Sequence, residues 1–193
     1  MADTQRGGAV RADAQRNRQR LIEVARAAFN AGEGKVSLEA VARDAGVGIG
    51  TLYRHFPTRE ALVEAVYRAE RARLCETAGE LLAELPPDRA LRTWMDGFAD
   101  YVATKKGMGD ALRSLVASGA ITKSEVREEL SAAVREILDA GAAAGTLRAD
   151  VEAEDVVVST VGIFYMCPLP EAAGQAARLL NLLMDGLRTA RGD

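Results

Sequence analysis

Apolar residues recur at helical spacing along almost the entire chain. Leu21, Ala25, Ala28 and Phe29, for example, fall at positions i, i+4, i+7 and i+8, which places them on one face of a helix. Glycines, prolines and potential capping residues interrupt this pattern at intervals. It predicts nine helices and no strand, and therefore an all-α fold. The predicted ranges are about 12–31, 38–45, 49–56, 59–84, 88–107, 108–117, 123–144, 153–167 and 171–188.

The stretch at 37–56, SLEAVARDAGVGIGTLYRHF, predicts two short amphipathic helices joined by a tight turn. Ser37 is a good N-cap for the first helix, Gly46 can adopt the positive φ that ends it, and Pro57 stops the second. The apolar stripe of the second helix consists of Ile49, Leu52, Tyr53 and Phe56. Two helices joined in this way pack at a steep angle, so the second is free to enter the major groove of DNA.

Charge is distributed unevenly along the chain. The formal net charge of the 193 residues is −3, but residues 1–60 carry 10 Lys+Arg and 7 Asp+Glu (10 − 7 = +3), whereas residues 61–193 carry 15 and 21 (15 − 21 = −6). A basic N-terminal part and an acidic remainder are typical of a DNA-binding head on a regulatory body, although chance variation in surface charge gives the same imbalance. Residues 1–11 are polar and predict a disordered basic arm. The arginines at positions 6, 11, 16, 18 and 20 either contact DNA or belong to a solvated tail.

Several classes of protein are disfavoured by the sequence. Cys75 and Cys167 lie far apart and without metal-ligand spacing, which fits a reduced, cytoplasmic protein. There is no secretory signal and no apolar run long enough to predict a membrane span. The single histidine, His55, argues against a multi-histidine metal site or a histidine-based triad, and the GVGIG run lacks the spacing of a nucleotide-binding loop. We therefore expect no catalytic site, no metal and no cofactor, and predict that the protein is not an enzyme.

The helix pair at 37–56 carries a motif that closely resembles the DNA-binding domain of the TetR family of bacterial transcription regulators. The motif reads Ala42-x3-Gly46-Val47-x2-Gly50-Thr51-Leu52-Tyr53-x-His55-Phe56. Residues 97–117 and 145–150 further resemble the C-terminal domain of the SbtR-like subgroup. The resemblance implies a helix-turn-helix domain at 12–57 and a ligand-binding and dimerisation domain at 58–193. It also implies a homodimer in which the eighth and ninth predicted helices pair with their copies as a four-helix bundle.

Within the head, the resemblance and the residue types together predict which side chains contact phosphates. Tyr53 and His55 occupy positions that meet the DNA backbone in this family, and the hydroxyls of Ser37 and Thr51 lie near helix starts, where they suit phosphate oxygens. Two arginines, Arg43 and Arg59, complete the expected phosphate contacts. For Tyr53 the alternative is a core position with its hydroxyl at the rim, and for His55 it is a brace or cap of the helix.

A second set of head residues is predicted to approach base edges. It consists of Glu39, Ile49, Gly50 and Arg54. Arg54 can pair with guanine, Glu39 can accept a hydrogen bond from cytosine, and Ile49 can pack on a thymine methyl, unless Ile49 belongs to the core. Gly48 departs from the family, in which a serine is common at this position, and it leaves only a backbone N–H for a phosphate.

Aromatic and other large apolar residues of the second domain are candidates for lining an effector cavity. They are Trp94, Phe98, Tyr101, Met108, Leu112, Phe164 and Tyr165. Ordinary core packing is the alternative for each of them, and the family resemblance is what favours a cavity.

The sequence as a whole predicts a cytoplasmic, nucleoid-associated transcription regulator. We expect a ligand-responsive repressor that binds a pseudo-palindromic double-stranded DNA operator as a homodimer and has no membrane partner. Two alternatives remain open. One is a helical enzyme or small-molecule-binding protein with a vestigial head, and the other is a DNA-binding protein without operator specificity.

Overall fold

The computed structural model describes residues 2–31 and 36–189, with side chains from residue 12 onward. Eight helices make up these ranges, with no strand and a single isolated bridge between Leu147 and Arg188. The all-α prediction is therefore confirmed. The helices are α1 (Ala2–Asn30), α2 (Leu38–Asp44), α3 (Ile49–His55), α4 (Arg59–Glu84), α5 (Pro87–Ala117), α6 (Lys123–Ala143), α7 (Ala153–Met166) and α8 (Ala173–Leu187).

The prediction of nine helices is wrong in one region of the described chain. Residues 87–117, predicted as two helices that meet at Gly107 and Met108, form the single helix α5. Gly109 interrupts its regular geometry with φ 51° and ψ −124°, a conformation that glycine adopts without the steric cost of a side chain. The chain therefore kinks at Gly109, two residues after the predicted boundary, so a break is present near the expected position although the helices number eight rather than nine in the described ranges.

The start of α1 also differs from expectation. The helix begins at Ala2 rather than near Ala12, so the backbone of residues 2–11 is helical where the polar composition predicted a disordered arm. Extending an existing helix requires no new nucleus, and this segment contains alanine, arginine and glutamine, which are good helix formers. The side chains of Arg6 and Arg11 lie outside the described part, and their contact with DNA stays a prediction.

The chain divides into two compact units. The first comprises Met1–Ala69 and Thr104–Ser118, and the second comprises Glu70–Ala103 and Gly119–Asp193. Both α4 and α5 contribute residues to each unit, so the first unit extends beyond the range 12–57 predicted for the DNA-binding domain. The assignment of separate functions to the two parts of the chain stays a prediction.

The core of the first unit fixes α3 against the longer helices. Leu21 and Phe29 of α1, Leu52 of α3, Phe56 at the end of α3 and Leu62 of α4 are all buried. Burying one such side chain contributes roughly 1.5–3 kcal/mol relative to leaving it exposed. Since α3 is only two turns long, this packing rather than its own helix propensity holds it in place.

Candidate nucleic-acid interface

The start of α2 is a tightly organised cap. Ser37 adopts an extended conformation, and its Oγ accepts a hydrogen bond from the Ala40 N–H at 3.3 Å. The same hydroxyl donates to Glu39 Oε2 at 2.7 Å. This hydrogen bond, followed by one from the backbone of Glu39, lowers the pKa of the Glu39 carboxyl, which is exposed and therefore charged at neutral pH. Ser37 and Glu39, predicted separately as phosphate and base contacts, thus form a pair.

The turn between α2 and α3 depends on Gly46. This residue has φ 69°, and the chain leaves α2 through hydrogen bonds from Gly46 N to Arg43 O at 3.0 Å and from Val47 N to Ala42 O at 2.9 Å. Such a left-handed residue at a helix end is a position where glycine is strongly favoured. The buried Ala42 and Ala45 precede the turn, and their small side chains allow the two helices to approach each other closely.

The apolar stripe of α3 is split between the core and the surface. Leu52 and Phe56 are buried, whereas Ile49 is 40% exposed and Tyr53 is 44% exposed. The exposure of Ile49 leaves its side chain available for a groove contact, which the sequence could not distinguish from a core position. Gly48 caps the helix without a side-chain hydrogen bond, so the first N–H groups of α3 have no side-chain acceptor at the cap.

The charged candidates of the head have different partners. Arg43 Nε lies 3.0 Å from Asp44 Oδ1, and the Arg59 guanidinium donates to the backbone carbonyl of Val36. Arg59 therefore braces the segment that precedes α2, a role that the phosphate prediction did not include. Arg54 is exposed and, among the residues that the structure describes, forms no hydrogen bond or ion pair. Of the three predicted arginines, Arg54 is thus the one that has no partner in the described part of the chain.

The remaining head candidates, His55 and Thr51, are half-buried. The His55 ring lies 6.3 Å from the Phe56 ring at an interplanar angle of 49°, so the end of α3 combines a buried anchor with a partly accessible imidazole. Thr51 donates its backbone N–H to Gly48 O at 2.8 Å and forms part of the first turn of α3. The phosphate contacts proposed for these side chains stay predictions.

Sequence reasoning missed the role of Arg18. Its guanidinium lies 5.3 Å from the centroid of the Phe56 ring, which joins α1 to the end of α3 through a cation–π contact. A contact of this kind at an exposed site is worth about 0.5–1 kcal/mol. The signal was present in the spacing, because Arg18 precedes Leu21 and Ala25 by three and seven positions on the buried face of α1.

The predicted effector-site residues are not all brought together. Four of them form a buried aromatic cluster in the second unit: Trp94, Phe98, Tyr101 and Phe164. The ring centroids of the other three lie 5.2–6.4 Å from that of Phe98. The indole N–H of Trp94 donates to the Leu74 carbonyl at 2.9 Å. The other three candidates are elsewhere: Met108 and Leu112 belong to the first unit, and Tyr165 is 79% exposed.

A groove of about 890 Å³ lies on the second unit between α6 and the start of α7. Its lining is polar and charged, with Ser131, Arg135 and Asp139 on α6, and an ion pair of 2.8 Å joins Arg127 to Glu154. It shares no residue with the aromatic cluster. In the described ranges, no group of side chains has the arrangement of a metal site, and no helix is both long and apolar enough to cross a membrane.

Comparison with known proteins matches both parts of the chain. Residues 21–66 match the family model of bacterial regulatory proteins of the tetR family, and residues 86–189 match that of the SbtR-like transcriptional regulator C-terminal domain. An HTH-type transcriptional regulator of Staphylococcus aureus is 43% identical over 54 residues, which is 28% of this chain and only 29% of that protein's length.

Solved structures extend the similarity to nearly the whole chain. A TetR transcriptional regulator from Streptomyces coelicolor is 46% identical, with a TM-score of 0.80, over 90% of this chain and 99% of the other. A TetR regulatory protein from Mycobacterium vanbaalenii is 36% identical, with a TM-score of 0.73, over 93% and 99% respectively. The motif at 37–56, its cap, turn and anchored second helix, and the match over more than half of the chain agree: this protein belongs to the TetR family of DNA-binding transcriptional regulators.

Proposed function

We propose that the protein is a ligand-responsive repressor that binds a pseudo-palindromic operator as a homodimer, in the cytoplasm at the nucleoid. The DNA-reading part of the proposal rests on the contrast between the buried and the exposed side chains of α3. Leu52 and Phe56 anchor the helix in the core, and Ile49, Tyr53 and Arg54 are exposed on it. A short helix held in this way presents a fixed set of side chains to a major groove.

Charge at the head supports both binding and base selection. Arg54 retains all its donors, because it has no partner within the described part of the chain, and arginine pairs with guanine through two hydrogen bonds. The uncapped N–H groups at the start of α3, after Gly48, are suited to a phosphate oxygen. We infer that phosphates fix the position of α3 and that Arg54 supplies much of its hydrogen-bonded selectivity.

An exposed apolar surface on α7, α8 and the segment between them supports the homodimer. Its large residues are Val158, Val161, Tyr165, Met166, Leu169 and Leu182. Val158, Val161 and Tyr165 fall on one face of α7, and Gly162 beside them lets a second helix approach closely. TetR-family regulators act as dimers, and apolar residues grouped in this way mark an interaction surface. We propose that α7 and α8 pair with their copies across a twofold axis, as isologous interfaces do.

The effector site that we propose is at the aromatic cluster around Phe98. The rings are buried and in contact, so a small apolar molecule would have to separate them to bind. Binding would then favour a conformation different from the unliganded one. If that conformation holds DNA more weakly, linkage requires DNA to weaken effector binding by the same factor. Each of α4 and α5 has residues in both units, which provides covalent continuity for such coupling.

Footprinting of the full-length protein on the DNA that flanks its own gene tests the proposal. We expect one protected region with two related half-sites whose centres are about one helical turn, or a multiple of it, apart. A random duplex of equal length is the control, and its binding should be weaker by on the order of 10³ or more at physiological salt. Equal affinity for the random duplex would mean a DNA-binding protein without operator specificity, and the proposal would then be wrong.

A further inference from the structure

The hydrogen-bonded pair at the start of α2 changes the role of Ser37. Its Oγ accepts from the Ala40 N–H at 3.3 Å and gives its own proton to Glu39 Oε2 at 2.7 Å. A hydroxyl has only one proton to donate. While this geometry holds, Ser37 therefore cannot donate to a phosphate oxygen, which is the contact that its residue type suggested.

Ser37 is the only side chain that orients Glu39 among the residues that the structure describes. Arg43, one helical turn later, is at the spacing at which an ion pair with Glu39 would form. Its Nε instead lies 3.0 Å from Asp44 Oδ1. The Ser37 hydroxyl is also the largest cause of the lowered pKa of Glu39, so the carboxylate is charged. A carboxylate has sites for about four hydrogen bonds, so it retains acceptor capacity for another partner.

A charged carboxylate on a DNA-binding surface is repelled by phosphates and needs a specific donor to offset the repulsion. In the major groove, the cytosine amino group is the donor that Glu and Asp side chains recognise. A glutamate side chain that is free to rotate loses conformational entropy when it forms that bond. One already held by a hydrogen bond loses less, and its geometry is more selective.

We propose that Ser37 is a positioning residue for base reading, whose hydroxyl holds the Glu39 carboxylate where it accepts a hydrogen bond from a cytosine amino group in the major groove. The inference rests on the proposed function, since it requires a protein that reads an operator. It gives Ser37 a part in sequence selectivity, and it makes α2 as well as α3 a reading element.

In vitro selection from a pool of random duplexes, followed by sequencing, tests the proposal with the full-length protein. We expect the wild type to select a motif with cytosine preferred at one position of each half-site, and Glu39→Gln to lose that preference. Ser37→Gly should reduce it at the same position by on the order of tenfold, within the range for one good base contact. Ser37→Thr retains a hydroxyl and should retain the preference.

Controls separate this role from loss of the helix cap. Glycine is itself an acceptable N-cap residue, so Ser37→Gly removes the hydroxyl at little cost to α2. Thr122→Gly removes a comparable capping hydroxyl at α6, where Thr122 accepts from Glu125 N at 3.4 Å, and should leave the selected motif unchanged. The salt dependence of binding gives a second measurement, because a lost phosphate contact reduces the salt slope by about 1 and a lost positioning contact leaves it unchanged.

The outcomes distinguish this inference from the proposed function. If the wild type selects no motif, the operator proposal fails and this inference fails with it. If the wild type selects a motif but Ser37→Gly weakens all sequences equally and keeps the cytosine preference, Ser37 is a phosphate contact and only this inference is overturned. The same holds if Glu39→Gln leaves every position of the motif unchanged.

Discussion

Gly107→Ala should destabilise the first unit, because the added methyl group would collide with the backbone of α1. An ideal Cβ at Gly107 overlaps the Phe29 carbonyl oxygen and lies 2.7 Å from its carbonyl carbon. The latter distance is about 1 Å shorter than an ordinary carbon–carbon contact. The side chain of Phe29 is buried and the next residue, Asn30, accepts a hydrogen bond from the Thr104 hydroxyl, so neither helix can move away freely.

The magnitude follows from two opposing effects. Overpacking costs typically about 1–3 kcal/mol and occasionally more, and a collision with backbone belongs at the upper end because no rotamer change relieves it. Alanine recovers about 1 kcal/mol relative to glycine within a helix. The net destabilisation should therefore be about 2 kcal/mol, or about a 30-fold increase in the unfolding equilibrium constant.

Urea denaturation at a fixed protein concentration, followed by circular dichroism, measures the change, and hydrogen exchange localises it. Protection should fall in α1 and in the second half of α5. Gly97→Ala is the matched control in the same helix, because a Cβ there meets nothing within 4 Å. It should stabilise the protein by about 0.5–1 kcal/mol. If Gly107→Ala is as stable as Gly97→Ala, the close approach of α5 to α1 is not present in solution.

Three further predictions concern the reading helix, the dimer and a thiol. Arg54→Ala should relax base preference at one operator position by about 5- to 150-fold, whereas equal losses on operator and random DNA would contradict a reading role. Tyr165→Glu combined with Leu182→Glu should convert the dimer to monomer in analytical ultracentrifugation, and an intact dimer would place the interface elsewhere. Burial raises the pKa of Cys75 to about 11, so in a Cys167→Ala background only about one thousandth of it is thiolate at pH 8. Its alkylation should be far slower than in urea and should accelerate as the pH rises; rapid labelling of the folded protein would contradict this.

The helix pair α2–α3 was predictable because the ends of both helices depend on residues that are close in sequence. Ser37 caps α2 through a bond to a residue three positions later, and Gly46 ends α2 by its own conformation. Pro57 similarly limits α3. Each of these effects acts within one helical turn, so the sequence contains all the information that they need. The bounds of α2 and α3 accordingly agree with prediction to within a residue or two.

The exact position of the kink in α5 could not be predicted in this way. On local grounds a glycine in a helical pattern indicates a helix end, so the sequence places the break at Gly107, whereas the non-helical residue is Gly109. The physical role of Gly107 is instead to let α5 pass close to Phe29, which is far away in the sequence. Local pattern contains no information about such a partner, so a glycine required by packing resembles one that ends a helix.

The effector-site candidates show a second limit of prediction from sequence, which arises where a helix is apolar on nearly every side. Phe164 and Tyr165 are adjacent in α7, yet Phe164 is 4% exposed and Tyr165 is 79% exposed. Because α7 is apolar on nearly every side, the period of its apolar residues does not identify a single buried face. The exposed side becomes evident only once α6 and α8 are packed against the other one.

The start of α3 has few hydrogen-bonding side chains, although the packing of the helix would accept larger polar residues there. A Cβ built at Gly48 or Gly50 meets nothing within 4 Å, and neither residue has a positive φ, so packing would accept larger residues at both positions. Because Gly48 and Gly50 have no side chains, the backbone of α3 can approach another surface closely on either side of the exposed Ile49. On the proposed function, hydrogen-bonded selectivity then comes from side chains at other positions, and we propose that the exposed Arg54 and the oriented carboxylate of Glu39 supply it. We therefore propose that recognition is divided between close backbone approach at the start of α3 and hydrogen bonding from Arg54 and Glu39.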